Sequence, residues 1–340
     1  MSMQRRQCLR WGSAAMAMGL TGVGAMAGVK PLQSLQNGKQ ELVWRERALL
    51  GFGTTLWLRA AHTNPDQLEL ALNQAVFAIR QVEADMSLFN PESAVSRLNQ
   101  TGELRKPSAQ LLSVLSLARY VSSRSQGAFD VTVQPLWQLW SQVQAGEKLP
   151  NQKLLQNKRQ LVNWRALETS PDMIRLNTKG MGVSLNGIAQ GYTADLVRAV
   201  LQSHGVVHAL IDTGETATLG NAPDEKPWRL GVESVVVSNS QQPVITADAR
   251  AMATSSDSHT AFTPDHVHHH IFNPHTGDSP LYWSTATVIA PSCAMADALT
   301  KVFFMCPPPL VQRTARAWGV DVIMQDKNAK WLNTLSGGLG

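Results

Sequence analysis

Long apolar runs, cysteine and charge are all scarce in this 340-residue chain, and each scarcity closes off a class of protein. The most apolar stretch, Trp11 to Ala27, is short and rich in glycine and alanine, whereas a spanning helix needs about 20 mostly apolar residues. Only 3 cysteines occur. Cys8 lies in the N-terminal segment, and Cys293 and Cys306 bracket a stretch with helical pattern. At a rise of about 1.5 Å per residue their α-carbons would stand roughly 20 Å apart, beyond disulfide reach. Neither follows the apolar run as a lipid-anchoring cysteine would, so a soluble, disulfide-free protein is expected. Charged residues are 16% and hydrophobic residues 44% of the chain, which excludes a fibrous or disordered protein and leaves apolar mass for a large core. The net charge of +5 is inflated by arginines at the start. No basic stripe with interleaved aromatics follows, which argues against a nucleic-acid partner.

What is present begins with Arg5-Arg6-Gln7-Cys8-Leu9-Arg10, followed by the weakly apolar run ending Ala25-Met26-Ala27. That order is a twin-arginine export signal, expected over residues 1–27 and removed on export to the periplasm. A polar linker over 28–45 and one domain over 46–340 are expected after it. Export by this route carries folded cargo, often with a ligand already bound.

Periodicity outlines the domain. Leu49 to Ala60 reads as a strand interrupted by Gly51-Phe52-Gly53-Thr54, and Pro65-Asp66 opens a helix with Leu68, Leu72, Val76, Ile79, Val82 and Met86 on one face. A second helix is expected from Pro107 to about Ser125. Strands are expected at Met173 to Asn177, Val183 to Leu185, Val206 to Ile211, Trp228 to Val237, Thr285 to Ala290 and Val320 to Met324. Helices are expected at Ile188 to Ser203 and Ser292 to Met305. With no clean βαβ rhythm and no short repeat, the fold class is α+β, a layered arrangement of helices packed on mostly antiparallel or mixed sheets.

Several loops abut these elements, the usual place for ligand contacts. Asn186 to Gly191 puts two glycines at a helix entry, where backbone N–H groups and the helix dipole favour a phosphate. The alternative is a helix cap with a close-packing glycine. Asp297 is either a hard-cation ligand or a first-turn acid complementing the helix dipole. His266, His268, His269 and His270, four of 9 histidines, have the donor chemistry of a copper or zinc site.

Taken in order, these segments resemble the FAD:protein FMN transferase (ApbE) family from about Phe52 to Met305. The family's Met-Gly-Thr appears as Phe52-Gly53-Thr54, and its Met-Ser-x-aromatic and Ser-Arg-x-Asn as Met86–Phe89 and Ser96–Asn99. Its Phe-Asp-x-Thr-x-x-Pro-Leu is Phe129 to Leu136, and its Gly-Ile-Ala-x-Gly-Tyr-x-x-Asp is Gly187 to Asp195. Ala253–Ser255, His270–Gly277 and Ala296–Leu299 complete the series. The resemblance implies an enzyme that takes FAD and Mg²⁺, releases AMP, and attaches FMN to a threonine or serine hydroxyl of another protein. It carries flavin contacts over to Phe52, Phe89, Ala128, Phe129, Asp130, Ser184, Gln190 and Ile271. Metal contacts fall on the Gly187 carbonyl and Asp297, completed by Thr300 or Lys301, and His270 lands beside the pyrophosphate as a general acid or base.

The chain departs from the pattern in places. Ser184 stands where the family usually has Asp, Gln190 where it has Lys or Glu, Lys301 where it has Thr, and the Gly-Gly-Asp block is reduced to Gly214-Glu215-Thr216. The Asn-Gly-Ile-Ala-Gln-Gly wording, the Gly-Glu block and the export signal resemble the branch accessory to nitrous oxide reduction. That branch implies a membrane-bound, periplasm-facing flavoprotein as acceptor. Two other readings are a periplasmic His-rich metal carrier and a flavin-binding protein without catalysis.

Overall fold

Two strands, β1 (Val43–Gly51) and β2 (Thr54–His62), pair antiparallel with Gly51 opposite Thr54. The two-residue hairpin turn of type I′ needs positive φ at both positions, and Phe52 and Gly53 supply it at 50° and 76°. The structure, a computed structural model, describes residues 41–144, 148–235 and 242–335. The expected export signal lies outside the described residues. Strand β1 begins at Val43, inside the segment expected to be linker, because its pairing with β2 carries the sheet back to that point.

The chain continues through α1 (Pro65–Met86), α2 (Ala94–Thr101), β3 (Glu103–Arg105), α3 (Ala109–Arg124), α4 (Gln134–Gln144) and α5 (Gln152–Arg159). Then come β4 (Leu167–Thr169), β5 (Met173–Leu176), α6 (Ala189–Ser203), β6 (His208–Asp212) and β7 (Thr216–Leu219). The last third holds β8 (Arg229–Gly231), β9 (Val244–Thr246), β10 (Ala251–Ser256) and β11 (Trp283–Ala290). It ends with α7 (Cys293–Phe304), α8 (Val311–Trp318), β12 (Asp321–Asp326) and β13 (Trp331–Asn333).

Eight strands form one sheet in the order β1-β2-β6-β7-β10-β11-β12-β13, every neighbouring pair antiparallel. Helices α1, α6 and α7 pack side by side against it: α1 on β1 and β2, α7 on β10 and β11, and α6 between the two helices. The apolar face of α1 is buried as its periodicity predicts, Leu68, Leu72, Ile79, Val82 and Met86 included. Asn64 caps its N-terminus through Asp66 and Gln67 N–H groups. This is the α+β layering expected from the sequence.

Some elements differ from expectation. Val183–Leu185 is not a strand: Asn99 clamps Val183 through both its amide groups at 2.7 and 2.8 Å, and Ser184 N–H donates to Val131 O. A side chain takes the role a neighbouring strand would have played. Of the run expected from Trp228, only Arg229–Gly231 is strand among the described residues. The Ala253–Ser255 block lies within strand β10, where Ala, Thr and Ser fit because α7 lies close above. Helices α2, α4, α5 and α8 were not anticipated, being short or flanked by polar turns.

Candidate active site

Helices α6 and α7 cap one another. Asp195 on α6 accepts the Cys293 and Ala294 N–H groups at the start of α7, at 2.9 and 3.0 Å. Asp297 on α7 accepts the Gly191 N–H at the start of α6, at 3.1 Å. The helices meet so closely that a Cβ at Gly191 would stand 2.4 Å from Cys293 O and 2.8 Å from Asp297 Cβ, which is why this position is glycine. Asp297 is therefore not a first-turn acid of its own helix; it is fully buried and serves the neighbouring one.

That crossing forms the floor of an open cleft. Its walls combine an apolar set, Ala128, Phe129, Val133, Trp137, Ile271, Phe272 and Pro274, with a polar set, Ser184, Asn186, Gln190, Glu215, Thr254, Ser255, His259, His270 and Lys301. Gly187 also lines it. Nine of the residues singled out from the sequence thus meet on one cleft: Ala128, Phe129, Asp130, Ser184, Gly187, Gln190, His270, Ile271 and Lys301. Phe52 and Phe89 are not among the lining residues. Phe52 sits at the β1–β2 hairpin tip, its N–H donating to Glu83 at 2.8 Å, and Phe89, in the turn after α1, lays its ring over Gly53 of that tip. Asp297 and Thr300 lie beneath the surface, both fully buried.

Lys301 points into the cleft. Its Nζ stands 2.5 Å from Asp297 Oδ1 and 3.1 Å from the Asp297 carbonyl, one helical turn back. Thr300 donates to Asp297 O at 2.7 Å and meets Ser255 Oγ at 2.7 Å. Of the two residues left open by the sequence, Lys301 lines the cleft and Thr300 ties α7 to β10.

Glu215 is one lining residue to which the sequence assigned no role; Trp137 and His259 are others. The Gly214-Glu215 block was visible only as a degraded family motif, and its place in the cleft is set by β7 and β10. Glu215 accepts the Thr254 N–H at 2.8 Å. Burial first, and then the Asp297 carboxylate nearby, push its carboxyl well above the usual range, while Lys301 and the Thr254 N–H oppose the shift. Gly214 has φ 95°, and a Cβ there would fall 2.0 Å from the Gln190 amide nitrogen, so the turn admits only glycine.

Asp130 lines the cleft but spends its carboxylate on its own loop and on the segment after α5, accepting from Thr132 N and Oγ1 and from Trp164 N. Burial raises its pKa against those three bonds. The histidines divide among separate partners. His266 approaches Asp257 at 3.7 Å, His268 bonds Asp278 at 2.8 Å, His269 Nε2 meets Pro280 O, and His270 Nδ1 meets Thr260 O. Among the described residues no group of three or more His, Cys, Asp and Glu side chains could hold a metal ion. The copper or zinc arrangement is absent because alternate residues of this loop face different neighbours. Burial, then the neighbouring His269 and His259, hold His270 down to about 3, so its imidazole is neutral at pH 7. Cys293 and Cys306 are free and buried.

The helix-entry anion site is partly consumed from within. Ala189 N–H donates to Leu185 O, Tyr192 N–H to Ile188 O, and Gly191 N–H to Asp297.

Residues 52–324 match the ApbE family. A FAD:protein FMN transferase of Vibrio cholerae is 30% identical over 255 residues, covering 72% of this chain and 76% of that protein. Its counterpart in Haemophilus influenzae is 28% identical over 242 residues, covering 67% and 70%. Among solved structures, the flavin transferase ApbE of Vibrio cholerae superposes with TM-score 0.74 at 25% identity over 86% of this chain and 97% of that one. The ApbE protein of Thermotoga maritima shares the fold at TM-score 0.77 and 20% identity, over 87% and 98%. Family match, relatives and fold agree with the cleft built by the two cross-capped helices: the chain belongs to the ApbE family.

Proposed function

We propose that this chain is a flavinyltransferase that moves FMN from FAD to a Thr or Ser hydroxyl of a partner protein and releases AMP. The observation that carries the reading is the meeting of two chemistries in one cleft. Apolar Phe129, Trp137, Ile271 and Phe272 suit a flat ring system, and Lys301, the hydroxyls of Ser184 and Thr254, and His270 suit a diphosphate. The names of the relatives support the same chemistry.

In the reaction, the acceptor hydroxyl oxygen forms a bond to the phosphorus on the FMN side of the diphosphate. The bond from that phosphorus to the bridging oxygen breaks, and its electron pair leaves with AMP. The hydroxyl proton goes to His270. Its Nδ1 is engaged by Thr260 O at 3.3 Å, leaving Nε2 as the acceptor, and the negative charge of a bound diphosphate favours the imidazolium and raises its basicity in the complex. Lys301 sets a positive charge where phosphoryl oxygens gather charge, the largest need of phosphoryl transfer.

Mg²⁺, implied by the resemblance, does not fit the donors as they stand. Asp297 Oδ1 is held by Lys301 and Oδ2 by Gly191 N–H, the Thr300 hydroxyl is spent on Asp297 O and Ser255, and Lys301 covers Gly187.

The twin-arginine segment supports a periplasmic site of action, and the Asn186–Gly191 wording supports a membrane-bound, periplasm-facing flavoprotein as acceptor. The test of the reaction is incubation of the chain with FAD and candidate acceptors, reading AMP by chromatography and covalent flavin by in-gel fluorescence. AMP and a fluorescent acceptor band in step with each other are expected. FAD retained without AMP or labelled acceptor would instead make the chain a silent flavin-binding protein.

A further inference from the structure

We infer that Lys301 is the built-in cation of this cleft, its ammonium standing where the family resemblance puts a divalent ion, so that the chain handles a diphosphate without one. The inference deepens the transfer reading and rests on it only for the identity of the substrate.

Three observations converge. The Lys301 Nζ lies 2.5 Å from Asp297 Oδ1 and 3.1 Å from Asp297 O, so it takes both oxygens that Asp297 could turn toward a cation in the cleft. Its stem lies over Gly187: a Cβ added there would meet Lys301 Cε at 2.9 Å and Nζ at 3.5 Å. The Asp297 side chain is fully buried while that of Lys301 is 19% exposed, so the pair has one open side, and it belongs to the lysine.

Chemistry supplies the rest. An ammonium carries three N–H donors; two meet Asp297, and the third remains for an oxygen of a diphosphate in the cleft. A divalent ion needs oxygen ligands at about 2.0–2.1 Å in octahedral array if it is Mg²⁺. It would have to displace the ammonium from Asp297 and leave that positive charge beside its own. The Thr300 hydroxyl, the remaining oxygen on this turn of α7, is tied to Ser255. Gln190 is neutral and lies against Gly214, so the cation of the site is carried by α7 and not by α6.

The experiment pairs metal binding with turnover. Mn²⁺, a spectroscopic stand-in for Mg²⁺, is titrated into wild type and Lys301→Thr and followed by electron paramagnetic resonance, and AMP release from FAD is measured in EDTA and in Mg²⁺. Wild type should bind no Mn²⁺ in the cleft and release AMP equally under both conditions. Lys301→Thr should gain one Mn²⁺ site that Asp297→Asn abolishes. In EDTA its AMP release should fall by roughly 10²-fold or more, as when one preorganised charge stabiliser is lost, and Mg²⁺ should restore it. A wild-type rate that collapses in EDTA overturns the inference without need of any variant, and so does a wild-type Mn²⁺ site that a folded Asp297→Asn, checked by circular dichroism, no longer binds. So does a folded Lys301→Thr that gains no site. If wild type releases no AMP under any condition, the transfer reading falls, and the Mn²⁺ titration still decides the role of Lys301.

Discussion

Replacing Asp297 by Asn changes one atom and removes one buried negative charge, which makes it the sharpest probe of the helix crossing. The amide is nearly isosteric, and its oxygen can still accept the Gly191 N–H, so the α6 cap survives. What is lost is the counter-charge of Lys301, 2.5 Å away. Two unit charges about 4 Å apart attract by about 4 kcal/mol at an effective dielectric of 20, and breaking a buried pair costs about 3–5 kcal/mol. The Lys301 side chain is 19% exposed and can turn toward water, and loss of the Asp297 charge relieves Glu215. Both corrections pull the cost toward about 3 kcal/mol. At roughly 2–4 °C per kcal/mol for a domain of about this size, Tm should drop by roughly 6–12 °C. Circular-dichroism melts at pH 7.5 measure it, and a double-mutant cycle assigns it. Asp297→Asn combined with Lys301→Met should be less destabilised than the sum of the single changes by about 2–3 kcal/mol. Additive single effects, or an Asp297→Asn melt superimposable on wild type, would refute the reasoning.

Acid should destabilise the fold through its buried histidines. Burial lowers His269 to about 4 and His270 to about 3 from the ordinary 6.5. The unfolded chain therefore binds more protons in that window, and stability held above pH 6.5 is lost as pH falls, by at most about 1.4 kcal/mol per pH unit for each group. Glu215, raised, works in the opposite sense: its contribution is present at low pH and fades as pH rises through its folded pKa. The net expectation is a lower urea midpoint at pH 5 than at pH 7, with the difference shrinking in His269→Gln. Equal midpoints, or an unchanged difference in the variant, would count against the buried neutral imidazoles. Changing Arg5 and Arg6 together to Lys should hold the chain in the cytoplasm, read by cell fractionation, and an undiminished periplasmic yield would remove the localisation claim.

Local sequence determined the long amphipathic helices, because a 3.6-residue period needs no partner to be seen. Leu68 to Met86 in α1 and Leu111 to Val121 in α3 follow their buried faces closely. It also determined the family and most of the cleft, since the matching blocks sit in loops whose wording chemistry constrains: Ala128 to Asp130, Gly187, Gln190, His270 and Ile271 all line it. Tertiary structure alone decided the rest. Strand β10 carries no strand pattern, and its small residues are explained only by α7 packing over it. Glu215 became a wall of the cleft because β7 and β10 are neighbours in the sheet. Asp195, seen in the sequence only as the last residue of a family motif, caps α7, and Asp297 caps α6 while holding Lys301. Whether Lys301 faced solvent or the cleft depended on which side of α7 the sheet covered. Charge and hydrogen bonding act through space between segments about a hundred residues apart, and only the folded chain sets those distances.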